Sequence, residues 1–282
     1  MPQKRKSYRT ISKAKLLKLK PFLDDLVAQI EQPDYIDDDP VQFMHAFEDK
    51  NDKELAGFFA ATMAWGRRDI VNAKVEDLLN RMNNNPADYI LNYSESDAPD
   101  LEGFKHRTFK PVDLHWIIKT LQSILLKFQT FENFWRFCNE EASRRNRNLI
   151  TVFHEQFFTF HPEMPLRVRK HVSNTEKNSS AKRLYMYLRW CIRKGSPVDP
   201  GTMDFISPAE LKIPLDVHVA RQARKLGLLS RTQNDWKSVI ELTKRLQILD
   251  PKDPARYDYA LFGIGVLSTE IPDEFVINKS VE

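Results

Sequence analysis

Two stretches of this 282-residue sequence bring together residue types that do chemistry. In the first, Ser179 or Ser180 can cap a helix running from Ala181 to Lys194, with Leu184, Leu188, Cys191 and Ile192 as its apolar stripe. Lys182, Met186, Arg189 and Arg193 follow one another at spacings of four, three and four, so they share a second, mostly cationic face. That face opens with a lysine in the first turn, where cations oppose the helix macrodipole. Lys182 and Arg183 are therefore badly placed unless they meet an anion, or unless the lysine is meant to lose its proton. A lysine amine becomes a nucleophile when neighbouring positive charge or desolvation leaves it neutral. The simpler reading of the same helix is a lysine that reaches solvent or a phosphate.

The second stretch is Ile213-Pro214-Leu215-Asp216-Val217-His218-Val219-Ala220, which opens another helix whose stripe is Leu215, Val219, Ala223 and Leu226 and whose end is marked by Gly227. Asp216 sits where a helix cap belongs, and His218 in the first turn is either a packed or capping histidine or a catalyst, and is a candidate DNA contact. Further on, Phe262-Gly263-Ile264-Gly265 is either a tight helix end or a turn that presents backbone N–H groups to a phosphate. Trp65, Tyr185, Tyr187 and Trp190 are the aromatic side chains available to line a pocket, and each also suits a core.

The elements that must position these residues are helices. Glycine is scarce, strand-like alternation is absent, and apolar residues recur at helical spacing. Helices are predicted at Phe22–Glu31, Pro40–Asp49, Lys53–Trp65, Ile70–Asn83, Val112–Phe128, Phe131–Ala142 and Leu149–Phe158. Asn51 or Asp52 can cap the third and Gly66 can end it, which puts Trp65-Gly66-Arg67-Arg68 at a turn and makes Arg67 a candidate DNA contact. Ser94–Phe109 is polar and broken by Pro99 and Gly103, so it reads as a loop. His161–Ser180 is punctuated by Pro162, Pro165 and a polar run, and reads as a connection between two helical lobes. The expected architecture is all-α: a basic tail over 1–20, a lobe over 21–160, the connection over 161–180, and a second lobe over 181–282 that carries Lys182 and Asp216.

Charge is unevenly spread. Met1–Lys20 holds eight Lys or Arg and no acid, and Pro165–Gly195 holds nine against the single acid Glu176. With a total of +4, two basic patches stand on an acidic background. Such patches attract polyanions and gain affinity by releasing counterions from phosphates. Arg169, Lys170, Arg183, Arg189 and Arg193 fall in the second patch and are its candidate DNA contacts. The first patch is equally a solvated tail or a targeting presequence. Two cysteines, Cys138 and Cys191, have no cluster spacing, so no disulfide framework, metal site or cofactor is expected. No apolar run is long enough for a membrane span. A monomer in a reducing, cytoplasmic setting, beside the nucleoid in a bacterium, is the expectation.

A lysine opening one helix, a Pro-x-Asp-x-His-Val segment 34 residues later opening another, and a basic surround resemble the catalytic half of the helix-hairpin-helix DNA glycosylase superfamily, closest to the archaeal 8-oxoguanine glycosylase branch. The runs Ser180–Arg193, Ile213–Val219 and Asp250–Val266 also look like a bacterial family of uncharacterised proteins known as a domain of unknown function, a likeness that covers most of the chain. The glycosylase resemblance implies a base-excision enzyme with lyase activity acting on damaged duplex or abasic DNA. It makes Lys182 the Schiff-base nucleophile and Asp216 the carboxylate that helps activate it and stabilises positive charge at the sugar, and a target base would be extruded into a pocket. The Leu-Pro-Gly-x-Gly hairpin expected around the lysine is missing, the four-cysteine cluster of the endonuclease III branch cannot exist here, and the glycine pair falls after Asp216. Base specificity is therefore not carried over. The alternative is a non-catalytic DNA- or RNA-binding protein on the same scaffold. A helical protein-interaction module would leave the basic face without a purpose.

Overall fold

In the computed structural model, which describes residues 7–266, 269–279 and 281, the elements are α1 (Lys13–Ile30), α2 (Gln42–His45), α3 (Lys50–Met63), α4 (Arg68–Arg81), α5 (Pro86–Asn92), α6 (Pro111–Phe128), α7 (Phe131–Arg144), α8 (Leu149–Phe157), α9 (Lys182–Ile192), α10 (Val217–Lys225), α11 (Trp236–Leu249) and α12 (Tyr257–Val266). Short 3₁₀ turns join them, and two isolated bridges are the only β pairings among the described residues, so the chain is all-α. No helix among those residues is long and apolar enough to cross a membrane.

The chain falls into two compact units that are not the consecutive lobes expected from the sequence. One comprises residues 1–32, 176–189 and 206–282; the other comprises 33–175 and 190–205. The first departure is at the N-terminus. Helix α1 begins at Lys13, capped by the Ser12 hydroxyl, and runs straight through Pro21 instead of starting after it. Leu16, Leu19, Leu23, Leu26, Val27 and Ile30 form one continuous buried stripe, and burying it offsets the hydrogen bond that proline removes. Residues 13–20 of the supposed basic tail are thus a packed helix; residues 1–6 of that tail lie outside the described residues.

Within the first unit, α12 packs against both α1 and α10. Its composition explains the closeness. A Cβ built on Gly263 would lie 1.9 Å from Ile30 Cδ1, so any larger residue there would have to displace the Ile30 side chain. In the other unit an aromatic core joins α3, α7 and α8: Phe58 meets Phe131 edge to face at 5.2 Å, and Trp135 stacks on Phe153 at 3.8 Å. Such pairs add offset-stacking and edge-to-face attraction to the area they bury.

Several boundaries differ from the predicted ones for local reasons. Helix α3 starts at Lys50 because Asp49, not Asn51 or Asp52, accepts the first-turn N–H groups, and it ends at Met63 before Gly66, which takes a left-handed φ of +123°. The predicted helix over Pro40–Asp49 shrinks to α2. Helix α5, with Pro86 in its first turn, and helices α11 and α12 are additions to the elements drawn from sequence. The loop expected over Ser94–Phe109 contains a 3₁₀ helix, Glu95–Leu101, opened by a reciprocal cap between Ser94 and Asp97.

Candidate functional site

Lys182 and Asp216, separated by 34 residues in the sequence, belong to the same unit and meet. Lys182 Nζ lies 3.4 Å from Asp216 Oδ2, with the lysine side chain 33% exposed and the aspartate 12%. Local chemistry sets up both partners. Asp216 is the N-cap of α10, and its Oδ1 accepts a hydrogen bond from the Val219 N–H at 2.8 Å. One oxygen thus closes the helix, as the capping reading requires, and the other faces the amine. The capping reading of Asp216 is met, and its second oxygen is the one within reach of Lys182.

Lys182 is the first residue of α9, and its approach is strained. Ala181 is buried and holds φ at +51°, the left-handed region that alanine avoids; Asn178, three residues earlier, holds +59°. The Ser179 hydroxyl accepts from the Ala181 N–H at 3.1 Å, and Tyr185 donates its N–H to the Ala181 carbonyl at 3.0 Å. Strain of this kind persists only where the surroundings dictate it, and it clusters where a side chain must be aimed.

The cationic column expected along α9 is not a surface. Arg189 is 3% exposed, bonds Asp258 of α12, and lays its guanidinium 4.1 Å from the centre of the Tyr259 ring. Arg193, which falls in the other unit, is equally buried and bonds Asp199. The spacing predicts one helical face for both arginines, but α9 ends at Ile192, before Arg193, and two acids hold Arg189 and Arg193 in buried ion pairs, so neither arginine can contact DNA. Arg183 is only partly exposed, and desolvation lowers its pKa from the ordinary guanidinium value.

The remaining candidate contacts divide. Gly263 and Gly265 lie inside α12, not at a turn: Gly263 is the packing point against Ile30, and a Cβ on Gly265 would stand 3.3 Å from His218 Cβ. Their N–H groups are not a phosphate cradle. His218 is exposed in the first turn of α10, its ring edge-on to Phe262 with centroids 6.3 Å apart. Arg67, Arg169 and Lys170 are exposed on the other unit; Arg67 pairs with Asp69 at 2.6 Å and Arg169 lies over the Phe158 ring at 5.4 Å. Of the aromatic candidates, Tyr187 and Trp190 are wholly buried, and Tyr185 stacks on Trp236 with centroids 5.6 Å apart. Trp65 is 48% exposed, with the Arg107 guanidinium 5.0 Å from its ring centre.

A second cluster was invisible in the sequence. Glu54 of α3 is completely buried beside Lys50 and Glu132, and desolvation together with the neighbouring carboxylate pushes its pKa up to about 8 in spite of the lysine. Lys50 also bonds Glu132, which accepts the Asp204 N–H at 2.8 Å and meets Arg136 at 3.2 Å. A charged residue in the middle of the apolar run Leu55–Met63 would have been the signal, yet Glu54 stands one residue before that run and reads as a solvated first-turn acid. Among the described residues no group of His, Cys, Asp and Glu has the geometry of a metal site.

Comparison with curated proteins and with solved structures finds no match. The model of a family described as protein of unknown function, DUF2400, matches residues 39–267, more than half of the chain, and the protein belongs to that family.

Proposed function

We propose that this protein acts on DNA as a helix-hairpin-helix-type glycosylase with lyase activity, Lys182 being the nucleophile and Asp216 its carboxylate partner. The observation that carries the reading is the 3.4 Å separation of Lys182 Nζ and Asp216 Oδ2 at the openings of two helices, partly open to solvent. At that distance the carboxylate can take a proton from the ammonium as the amine attacks C1′ of a nucleoside. The new C1′–N bond forms while the glycosidic bond breaks, and the bonding pair leaves with the base, which takes up the proton that Asp216 accepted and so restores the carboxylate. Positive charge that develops on the sugar is stabilised by the same carboxylate. Opening of the sugar ring then gives a protonated imine on Lys182, and loss of a C2′ proton expels the 3′ phosphate.

Borohydride reduction of the protein with a duplex carrying an abasic site or 8-oxoguanine tests the reading. A covalent protein–DNA adduct is expected from the wild type and absent from Lys182→Ala. Salt-sensitive DNA binding with no adduct from either protein would instead favour the non-catalytic binder.

A further inference from the structure

A cavity of about 700 Å³ opens beside α10 and α12, with Gly265 in its lining and neither Lys182 nor Asp216 among its residues. Its size is within the range of sites for small organic ligands, roughly 300–1,000 Å³. The wall from α10 is Gln222, which is 8% exposed and whose Oε1 has no hydrogen-bond donor among the described residues. Buried acceptors are rarely left so, and a carboxamide turns about a broad terminal torsion, so a ligand N–H in the cavity can take this oxygen.

The rest of the lining is mostly charged and open to solvent. Lys225 and Lys279 bring two ammonium groups and Glu270 and Asp273 two carboxylates, and none of the four is ion-paired among the described residues. Ile264 and Val276 add apolar surface. A simple anion would use the lysines and leave the carboxylates repelled. An amino-acid zwitterion would match both signs of charge and leave most of the volume empty. A ligand that fills the cavity needs an apolar face with N–H donors, hydroxyls for a carboxylate, and an anionic group.

We propose that this cavity binds a nucleotide. The base lies on Ile264 and Val276 and donates an N–H to Gln222 Oε1; the ribose hydroxyls donate to Glu270 or Asp273; the phosphate meets Lys225 and Lys279. A free mononucleotide and the phosphorylated end of a strand present the same groups. The site stands whether or not Lys182 excises bases.

Isothermal titration of the full chain decides it. The probes are AMP, GMP, CMP and TMP in turn, adenosine, inorganic phosphate, and a short 5′-phosphorylated single strand. At least one mononucleotide or the strand is expected to bind with a Kd in or below the millimolar range, and Gln222→Leu and Lys279→Ala each to weaken it at least about tenfold. Lys182→Ala should leave it unchanged. Binding by a mononucleotide makes the occupant a free nucleotide, whereas binding by the strand alone makes it a strand end. Lys279 is exposed, so its variant reports on binding even where Gln222→Leu fails to fold. Inorganic phosphate binding as tightly as any nucleotide, no binding by any nucleotide or strand at millimolar concentration, or an affinity unmoved by Lys279→Ala would overturn the proposal.

Discussion

The two oxygens of Asp216 do different work, and two substitutions should separate them. Oδ1 caps α10 through the Val219 N–H, and Oδ2 faces Lys182. Asparagine caps as well as aspartate does, so Asp216→Asn keeps the first role and removes only the charge. The partly exposed pair with Lys182 is worth about 1 kcal/mol at most, and the attraction of a carboxylate to a helix N-terminus about 0.3–1 kcal/mol. The asparagine variant should therefore lose about 1 kcal/mol. Asp216→Ala also loses the cap, for about 1 kcal/mol more. At roughly 2 °C per kcal/mol in a chain of this size, the melting temperature should fall by about 2 °C and about 4 °C respectively. Borohydride trapping should behave otherwise, with both variants losing adduct by about 100-fold or more, because each lacks the carboxylate. A thermal melt and a trapping gel on the same preparations make the comparison. If the asparagine variant melts as low as the alanine variant, the cap is not what Oδ1 supplies. If it traps DNA like the wild type, the carboxylate has no part in the chemistry and the excision reading fails.

The buried cations make a contrasting prediction. Arg189→Ala should cost about 3–5 kcal/mol by stranding Asp258, and Arg189→Met with Asp258→Leu should recover much of that, as urea midpoints will show; a stability change within about 0.5 kcal/mol for the single variant would return Arg189 to the surface. Glu54 makes stability depend on pH with a definite sign. Its pKa stands at about 8 in the folded chain against an ordinary 4.5, so between those values the folded state holds a proton that the unfolded state has released. The contribution is fully present below pH 4.5 and is lost as pH rises towards 8. Glu54→Gln, which mimics the neutral acid, should flatten that fall; urea midpoints of wild type and variant that decline in parallel across the window would refute it.

How far the sequence could be read is clearest in α9. Periodicity alone identifies the helix and its apolar stripe, though it carries the helix past Ile192 to Arg193, and the meeting of Lys182 with Asp216 is implied by the resemblance to the glycosylases and not by spacing. The same was true of α4, α6, α7 and α8, where apolar spacing sets the ends to within a few residues. Helix α1 was misread because a proline inside a helix looks like a boundary unless the apolar stripe on both sides is followed through it. Glu54, Asp258 and Asp199 were missed for a different reason: a helical wheel sorts residues into faces and is silent on which faces meet another element. Arg189 and its partner are 69 residues apart, a distance over which no local pattern operates.

The consequence of that silence reaches the functional reading. Charged side chains are almost never fully buried unless paired, so three cations at helical spacing read as a surface. The sequence did carry a contrary signal in Tyr257-Asp258-Tyr259, an acid set in an otherwise apolar helix that needs a buried cation for company. Pairing Arg189 and Arg193 inward takes two phosphate contacts from any DNA interface. The slope of log affinity against log salt is set by the number of phosphates neutralised, so it should be shallower by about two than the basic patch predicts. On the function proposed here, affinity would then come more from the reacting centre and less from a general electrostatic field, so a slope as steep as the full patch predicts would refute the inward pairing of these arginines.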